Sequence, residues 1–355
     1  MRFGTASLTH YGGAYLLHRF LSRIGFTEAI ARHVRVAQRN NRYSVGEVLL
    51  ALLYPMVLGR ERIEPTQLLR QNGVFQYLTG LPSYPEATTL RRFLLRVAPA
   101  ALPKVRARHD RFLRRRTVRP RPPTRLIFDL DSPGLGVYGH QEQARIGSNP
   151  IKRGRPSYHP LLCFEGQTKD FGHGELRPGD AHTASGTLDW LAACFTKIPA
   201  GGQLTILRAD KGFFDHKLVE WLEARRARFV IVARLTPPIK RTLPHRSSGS
   251  PSRGVEVAEF RSQPTRWPHP YRFVVIRRPQ PEEPPAPLTR FKLGRYHYQV
   301  LVTNLPLRPL TLWRFSNDRA GIELLIKQLQ GDYALGSIPC PSPKPRPAAK
   351  PPKVY

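Results

Sequence analysis

Between residues 125 and 235, short apolar runs alternate with amphipathic segments in an order that leaves few folds open. "RLIFDLD" reads as a strand, and "SYHPLLCFEG" and "FGHGELRPG" as two more. "TASGTLDWLAACFTKI" then reads as a helix, "QLTILRAD" as a strand, "DHKLVEWLEARR" as a helix and "RFVIVARL" as a strand. Three strands followed by helix, strand, helix and strand is an α/β order with a mixed sheet. Asp129 and Asp131 lie two apart in the first strand, so both side chains leave the same face. The same stretch holds Gly134, Gly136 and Gly139 in G-x-G-x-x-G spacing. A dinucleotide-binding turn needs a helix to open at the third glycine. Here Gly147, Pro150, Gly154 and Pro156 interrupt the next twenty or so residues, so no continuous helix forms and NAD binding is not expected. The glycines instead suit a tight turn into the next strand.

The flanks differ in texture. Residues 12–115 read as helices: "YLLHRFLSRIG" sets Leu16, Leu17, Phe20, Leu21 and Ile24 on one side. "SVGEVLLALLY" opens with Ser44 and Glu47 in capping-box spacing, and "PEATTLRRFLLRV" turns Leu90, Phe93 and Leu94 inward. An Arg- and Pro-rich stretch marks a boundary near residue 120. Residues 237–310 are Pro-rich with three strand-like runs, and "SNDRAGIELLIKQLQ" reads as a helix capped by Asn317 or Ser316. The expected organisation is a helical domain whose exposed arginines suit DNA binding (1–119), an α/β domain (120–236 with 311–339), a β-rich insertion (237–310) and a disordered basic Pro-rich tail (340–355).

Charge narrows the partner. Lys and Arg total 57 against 25 Asp and Glu, a formal net charge of +32. Such an excess opposes compaction by self-repulsion and calls for a polyanion. Its spread along the chain in short clusters suits nucleic acid, whereas a membrane-surface helix would concentrate it. The three cysteines form no C-x-x-C pair, and no apolar run reaches 18 residues. The expected setting is a reducing cytoplasm, with no membrane partner.

Three acids stand out by position. They are Asp129 or Asp131 in the first apolar strand, Asp210 at the end of a later one, and Glu323 in the late helix. An acid in an apolar strand is costly to bury unless its charge is offset. Hard oxygen donors on two strand ends and a helix suit Mg²⁺ in phosphoryl chemistry, although a strand-terminal Asp is also a common cap.

"VYGHQEQARIGSNPIKRGRPSYHPLLCF", "LRADKGFF" and "WRFSNDRAGIELLIKQLQGDYALGSIP" carry a resemblance to bacterial insertion-sequence DDE transposases, in the branch with a Tyr-Arg-Glu-Lys signature, over about residues 1–339. The resemblance implies a ribonuclease H-like mixed sheet with flanking helices, a β-rich insertion before the last catalytic helix and an N-terminal all-helical domain. It matches Asp131, Asp210 and Glu323 to the catalytic, metal-holding acids, with Asp129 the alternative for the first position. Two Mg²⁺ (or Mn²⁺) ions would activate water, then a DNA 3′-hydroxyl, and stabilise the leaving 3′-oxygen. Lys152, Arg153 and Arg155, in a loop between strands, and Arg319 and Lys327, on the late helix, would contact DNA. The implied partner is double-stranded DNA, as terminal inverted repeats and target, bound by a homodimer in the bacterial nucleoid. Ser316 stands where the signature has tyrosine, Gln330 where it has lysine, and Pro133 where relatives have threonine. After "ALGSIP" the chain switches to "CPSPKPRPAAKPPKVY", which reads as a frame change, a truncated copy or a DNA-gripping tail. A catalytically inactive DNA-binding protein or inhibitor is therefore the alternative function.

Overall fold

The computed structural model describes residues 10–37, 42–60, 62–81, 83–117, 124–147, 154–183, 186–197, 204–243, 254–279, 291–293, 296–333 and 335–336. The tail expected to be disordered, and Lys152 and Arg153, lie outside these residues.

Seven helices come first: α1 (Gly12–Arg23), α2 (Phe26–His33), α3 (Val45–Val57), α4 (Thr66–Arg70), α5 (Gly73–Thr79), α6 (Ala87–Arg96) and α7 (Ala98–Thr117). The capping box forms at α3: Glu47 N–H donates to Ser44 Oγ at 3.2 Å, and Ser44 N–H to Glu47 Oε2 at 2.7 Å. These helices enclose their own apolar cluster around Tyr54, Phe75, Tyr84, Leu90 and Phe93. The apolar side of α1 is divided between core and surface. Leu21 is buried, but Leu16 is 73 % exposed and Phe20 and Ile24 also face outward. The helix meets α5 through one narrower side, where Tyr11 packs edge-on to Phe75, and five apolar residues exceed what that contact covers. Leu94 is likewise exposed, since α6 buries only Leu90 and Phe93.

The second half is built on β1 (Arg125–Asp131), β2 (Leu135–Gly136), β3 (Arg145–Ile146), β4 (Pro156–Tyr158), β5 (Leu161–Glu165), β6 (Phe171–Glu175), α8 (Thr187–Phe195), β7 (Leu204–Ala209), α9 (His216–Ala224), β8 (Arg228–Val232), α10 (Pro237–Thr242), β9 (Glu256–Ser262), β10 (Tyr271–Pro279), β11 (Phe291–Leu293), β12 (Tyr296–Thr303), α11 (Pro309–Asn317) and α12 (Ala320–Gly331). The main sheet runs β6-β5-β1-β7-β8-β12-β10-β9, with β11 beside β12. β1, β7 and β8 are parallel to one another, and the neighbours on both sides are antiparallel. This is the mixed sheet with flanking helices that the resemblance implied. The strands of residues 256–303 do not form a sheet of their own. β12 pairs with β8, so they extend the main sheet.

Alternation along β1 explains the layering. Leu126, Phe128 and Leu130 turn to one face and pack with Trp190 and Leu191 of α8 and Leu218 and Leu222 of α9. Ile127, Asp129 and Asp131 turn to the other, where Leu312 of α11 meets Ile127, and Ile322 and Ile326 of α12 cover Leu162 and Phe164 of β5. At the β6 edge, Lys197 pairs with Asp110 of α7 at 2.7 Å and donates to His173 at 3.0 Å. Burial lowers the His173 imidazole to about 4, which keeps it a neutral acceptor.

Two readings of the sequence are corrected by the fold. The stretch 309–331 is two helices. Ser316 and Asn317 lie inside α11, which begins at Pro309 with Arg308 as its N-cap, and α12 starts after Arg319 without a side-chain cap. The glycines after β1 do not make a hairpin to an adjacent strand. β2 instead joins β4 and β3 in a separate three-stranded sheet, and Gly134, Gly136 and Gly139 all avoid positive φ. No helix opens at Gly139.

Candidate active site

Asp131 and Asp210 stand at the C-terminal ends of two adjacent parallel strands, β1 and β7. That edge is where open α/β sheets present their ligands. Asp210 opens a short 3₁₀ turn, Lys211–Phe213, and its Oδ1 accepts the Gly212 N–H at 2.9 Å. The cap thus occupies one carboxylate oxygen. Arg234 braces the turn by donating to the Lys211 and Gly212 carbonyls at 3.0 and 3.3 Å.

α12 brings the third acid. Arg319, just before it, donates to Glu323 Oε1 at 3.3 Å and to the Leu130 carbonyl at 3.5 Å, and stands 3.9 Å from Asp131 Oδ2. One guanidinium therefore spans the strand acid and the helix acid. Burial pushes the Asp131 carboxyl up to about 6. The Arg319 charge pulls it down, while those of Asp210 and Glu323 push it up further. Asp131 thus lies within reach of the charges of Asp210 and Glu323, which are 79 and 192 residues further along the chain. Yet among the described residues no three His, Cys, Asp or Glu side chains are gathered closely enough to hold a metal ion as they stand. The donor set is all carboxylate, which fits a hard divalent cation, and the mutual repulsion at Asp131 is the kind that such a cation relieves.

Asp129 is differently employed. It is fully buried, and Arg208 of β7, its register partner, grips it with two hydrogen bonds of 2.6 and 2.7 Å. The same guanidinium donates to the Phe315 carbonyl at 2.6 Å and lies over the Phe315 ring, fixing α11 to the sheet. Sequence reading missed Arg208. A lone arginine inside the apolar run "LTILRAD" was the available signal, because a buried guanidinium needs a buried acid.

Of the expected DNA contacts, Lys327 is exposed one turn beyond Glu323, on the stripe that begins at Arg319. Arg155 lies 4.8 Å over the ring of Tyr138, which is 75 % exposed. Ser316 is buried, so the position where the signature has tyrosine faces the protein.

The chain is thus a mixed α/β protein with acids at adjacent parallel strand ends and a third acid in the first turn of a flanking helix. The family model for the transposase DDE domain group 1 matches residues 1–344, and the chain belongs to that family. Among solved structures it is similar to a piggyBac transposase, in a cryo-EM synaptic complex with hairpin DNA. The identity is 13 %, the TM-score 0.47, and 90 % of this chain and 68 % of that one are covered. No curated protein matches the sequence. Among the described residues no helix is long and apolar enough to cross a membrane.

Proposed function

We propose that the chain is a DNA transposase that cuts at transposon ends and joins strands, with Asp131, Asp210 and Glu323 as the metal-holding acids. The observation that carries this reading is geometric: Arg319 stands 3.9 Å from Asp131 and 3.3 Å from Glu323, and Asp210 caps the end of the parallel strand next to that of Asp131. Asp131 is the first acid, because Asp129 is committed to Arg208. Bound there, two Mg²⁺ (or Mn²⁺) ions would supply an activated water and stabilise the leaving 3′-oxygen. Arg319 holds the strand acid and the helix acid in register until the cation arrives. Lys327 and Arg155, with Lys152 and Arg153 of the same loop, take backbone phosphates of terminal-repeat and target DNA. Their contribution weakens with salt by about 0.9 log units per log unit for each phosphate engaged. Residues 1–119 serve as the DNA-binding part, and two copies act together on DNA in the cytoplasm.

One observation favours a second reading, a DNA-binding protein without catalysis: the carboxylates are not closed to ligation distance and Arg319 stands between two of them. A duplex carrying the flanking terminal repeat separates the two. The transposase reading expects strand cutting with Mg²⁺ or Mn²⁺ and none in EDTA. Asp210→Asn and Glu323→Gln should slow cutting at least about 100-fold with metal-free DNA affinity retained. Salt-sensitive DNA binding with no cutting in any metal leaves the second reading, and cutting that survives either substitution rejects the acid assignment.

A further inference from the structure

The loops that wall the acidic strand ends are held together by a buried arginine. Arg177, in "GELRPGD", is only 7 % exposed. Its Nε donates to the His159 carbonyl and its Nη1 to the His182 carbonyl, each at 3.3 Å. Those carbonyls belong to different loops, and each loop touches the turn behind one acid. His159 packs against Gly134, three residues beyond Asp131: a Cβ there would lie 3.6 Å from the imidazole. Thr183, next to His182, packs against Gly212, two residues beyond Asp210: a Cβ there would lie 3.3 Å from the Thr183 hydroxyl and 3.0 Å from Asp210 Oδ1. Backbone pairing reinforces the clamp, since His159 N–H donates to the Arg177 carbonyl at 2.9 Å and Tyr158 bridges Pro178.

Burying a guanidinium is costly, and burial lowers Arg177's affinity for its proton. A planar fork repays that cost when it spans two acceptors at once, which a lysine ammonium cannot do with the same geometry. We propose that Arg177 is a positioning residue: by tying the His159 loop to the His182 loop, it fixes the Asp131 strand end against the Asp210 turn and thereby sets the site's affinity for a divalent cation. The inference rests on Asp131, Asp210 and Glu323 being the metal site. Losing a direct hydrogen-bond partner of a metal ligand typically changes metal affinity or activity about 10–100-fold, and Arg177, which reaches both acids through intervening loops, belongs at the lower end.

The test uses the full chain without DNA, with free Mn²⁺ counted by electron paramagnetic resonance and folding followed by circular dichroism. Arg177→Met should weaken Mn²⁺ binding about 10-fold or more, while metal-free affinity for a 30-base-pair duplex stays within about twofold, since a buried residue meets no phosphate. Arg177→Lys, which keeps the charge and guards against misfolding, should fall between Met and native. Arg261→Ala, an exposed change on β9 at the opposite edge of the sheet, should leave Mn²⁺ binding unaltered. Native-like Mn²⁺ binding by whichever Arg177 variant folds overturns this inference alone. Native chain whose Mn²⁺ binding is absent, or is unaffected by Asp131→Ala, overturns the metal-site reading and this inference with it.

Discussion

Replacing Asp131 with asparagine should stabilise the protein while abolishing its chemistry. Its carboxyl is raised from 3.8 to about 6, and its side chain is 20 % exposed, mostly shielded from solvent. A rise of about two units at about 1.4 kcal/mol each amounts to about 3 kcal/mol. The sign comes from proton counting. Below 3.8 both folded and unfolded chains carry the proton, and the residue is neutral in the balance. Between 3.8 and about 6 the unfolded chain ionises first, so stability falls as pH rises. Above about 6 the folded chain carries the full cost. Asp131→Asn removes it and keeps an oxygen for the Ser132 N–H that Asp131 now accepts at 2.8 Å. Thermal unfolding in EDTA at pH 8 should therefore show the variant about 4 °C above the native chain, given the entropy of unfolding of a chain of 355 residues. At pH 3.5 the gap should close. Divalent cation at pH 8 should raise the native chain toward the variant, because only the native site gains by neutralisation. A variant that is less stable at pH 8, or a gap that persists at pH 3.5, would refute the claim that burial, with the charges of Asp210 and Glu323, makes an ionised Asp131 costly.

The buried pair beneath the site should behave in the opposite way. Asp129→Asn leaves the Arg208 charge buried without its partner and should cost about 3–5 kcal/mol, read by denaturant midpoint; a loss under 1 kcal/mol would show that the pair is solvated. Gly147→Ala should unfold or shift the small sheet, since a Cβ there would fall 1.8 Å from the Gly179 carbonyl oxygen. A native melting curve for that variant would show that the two loops do not meet.

Much of the architecture was legible in local pattern. β1, β7, α9 and β8 follow from period-2 and period-3.6 apolar spacing, and Ser44 with Glu47 announced the start of α3. The resemblance matched Asp131, Asp210 and Glu323, all at element ends where an acid interrupts an apolar run. Other features depended on contacts between distant segments. How much of the apolar side of α1 is buried was not legible, because periodicity marks a face but not how much of it a neighbour covers. The break between α11 and α12 was hidden because Ser316 and Asn317 resemble caps, and only the Arg208 contact with Phe315 shows that they lie inside a docked helix.

The choice between two aspartates on one strand face marks the boundary between local pattern and tertiary contact. Sequence alone determined that Asp129 and Asp131 point the same way, because side-chain period along a strand is local geometry. It also determined the basic excess that calls for a polyanion, because charge is a sum over residues. Tertiary structure alone decided which aspartate is available. Parallel register sets Arg208 opposite Asp129, and α12 swings Arg319 and Glu323 toward Asp131, across 79 and 188 to 192 residues of chain. Charge neutralisation acts over a few ångströms of space, and those ångströms exist only once the sheet has formed.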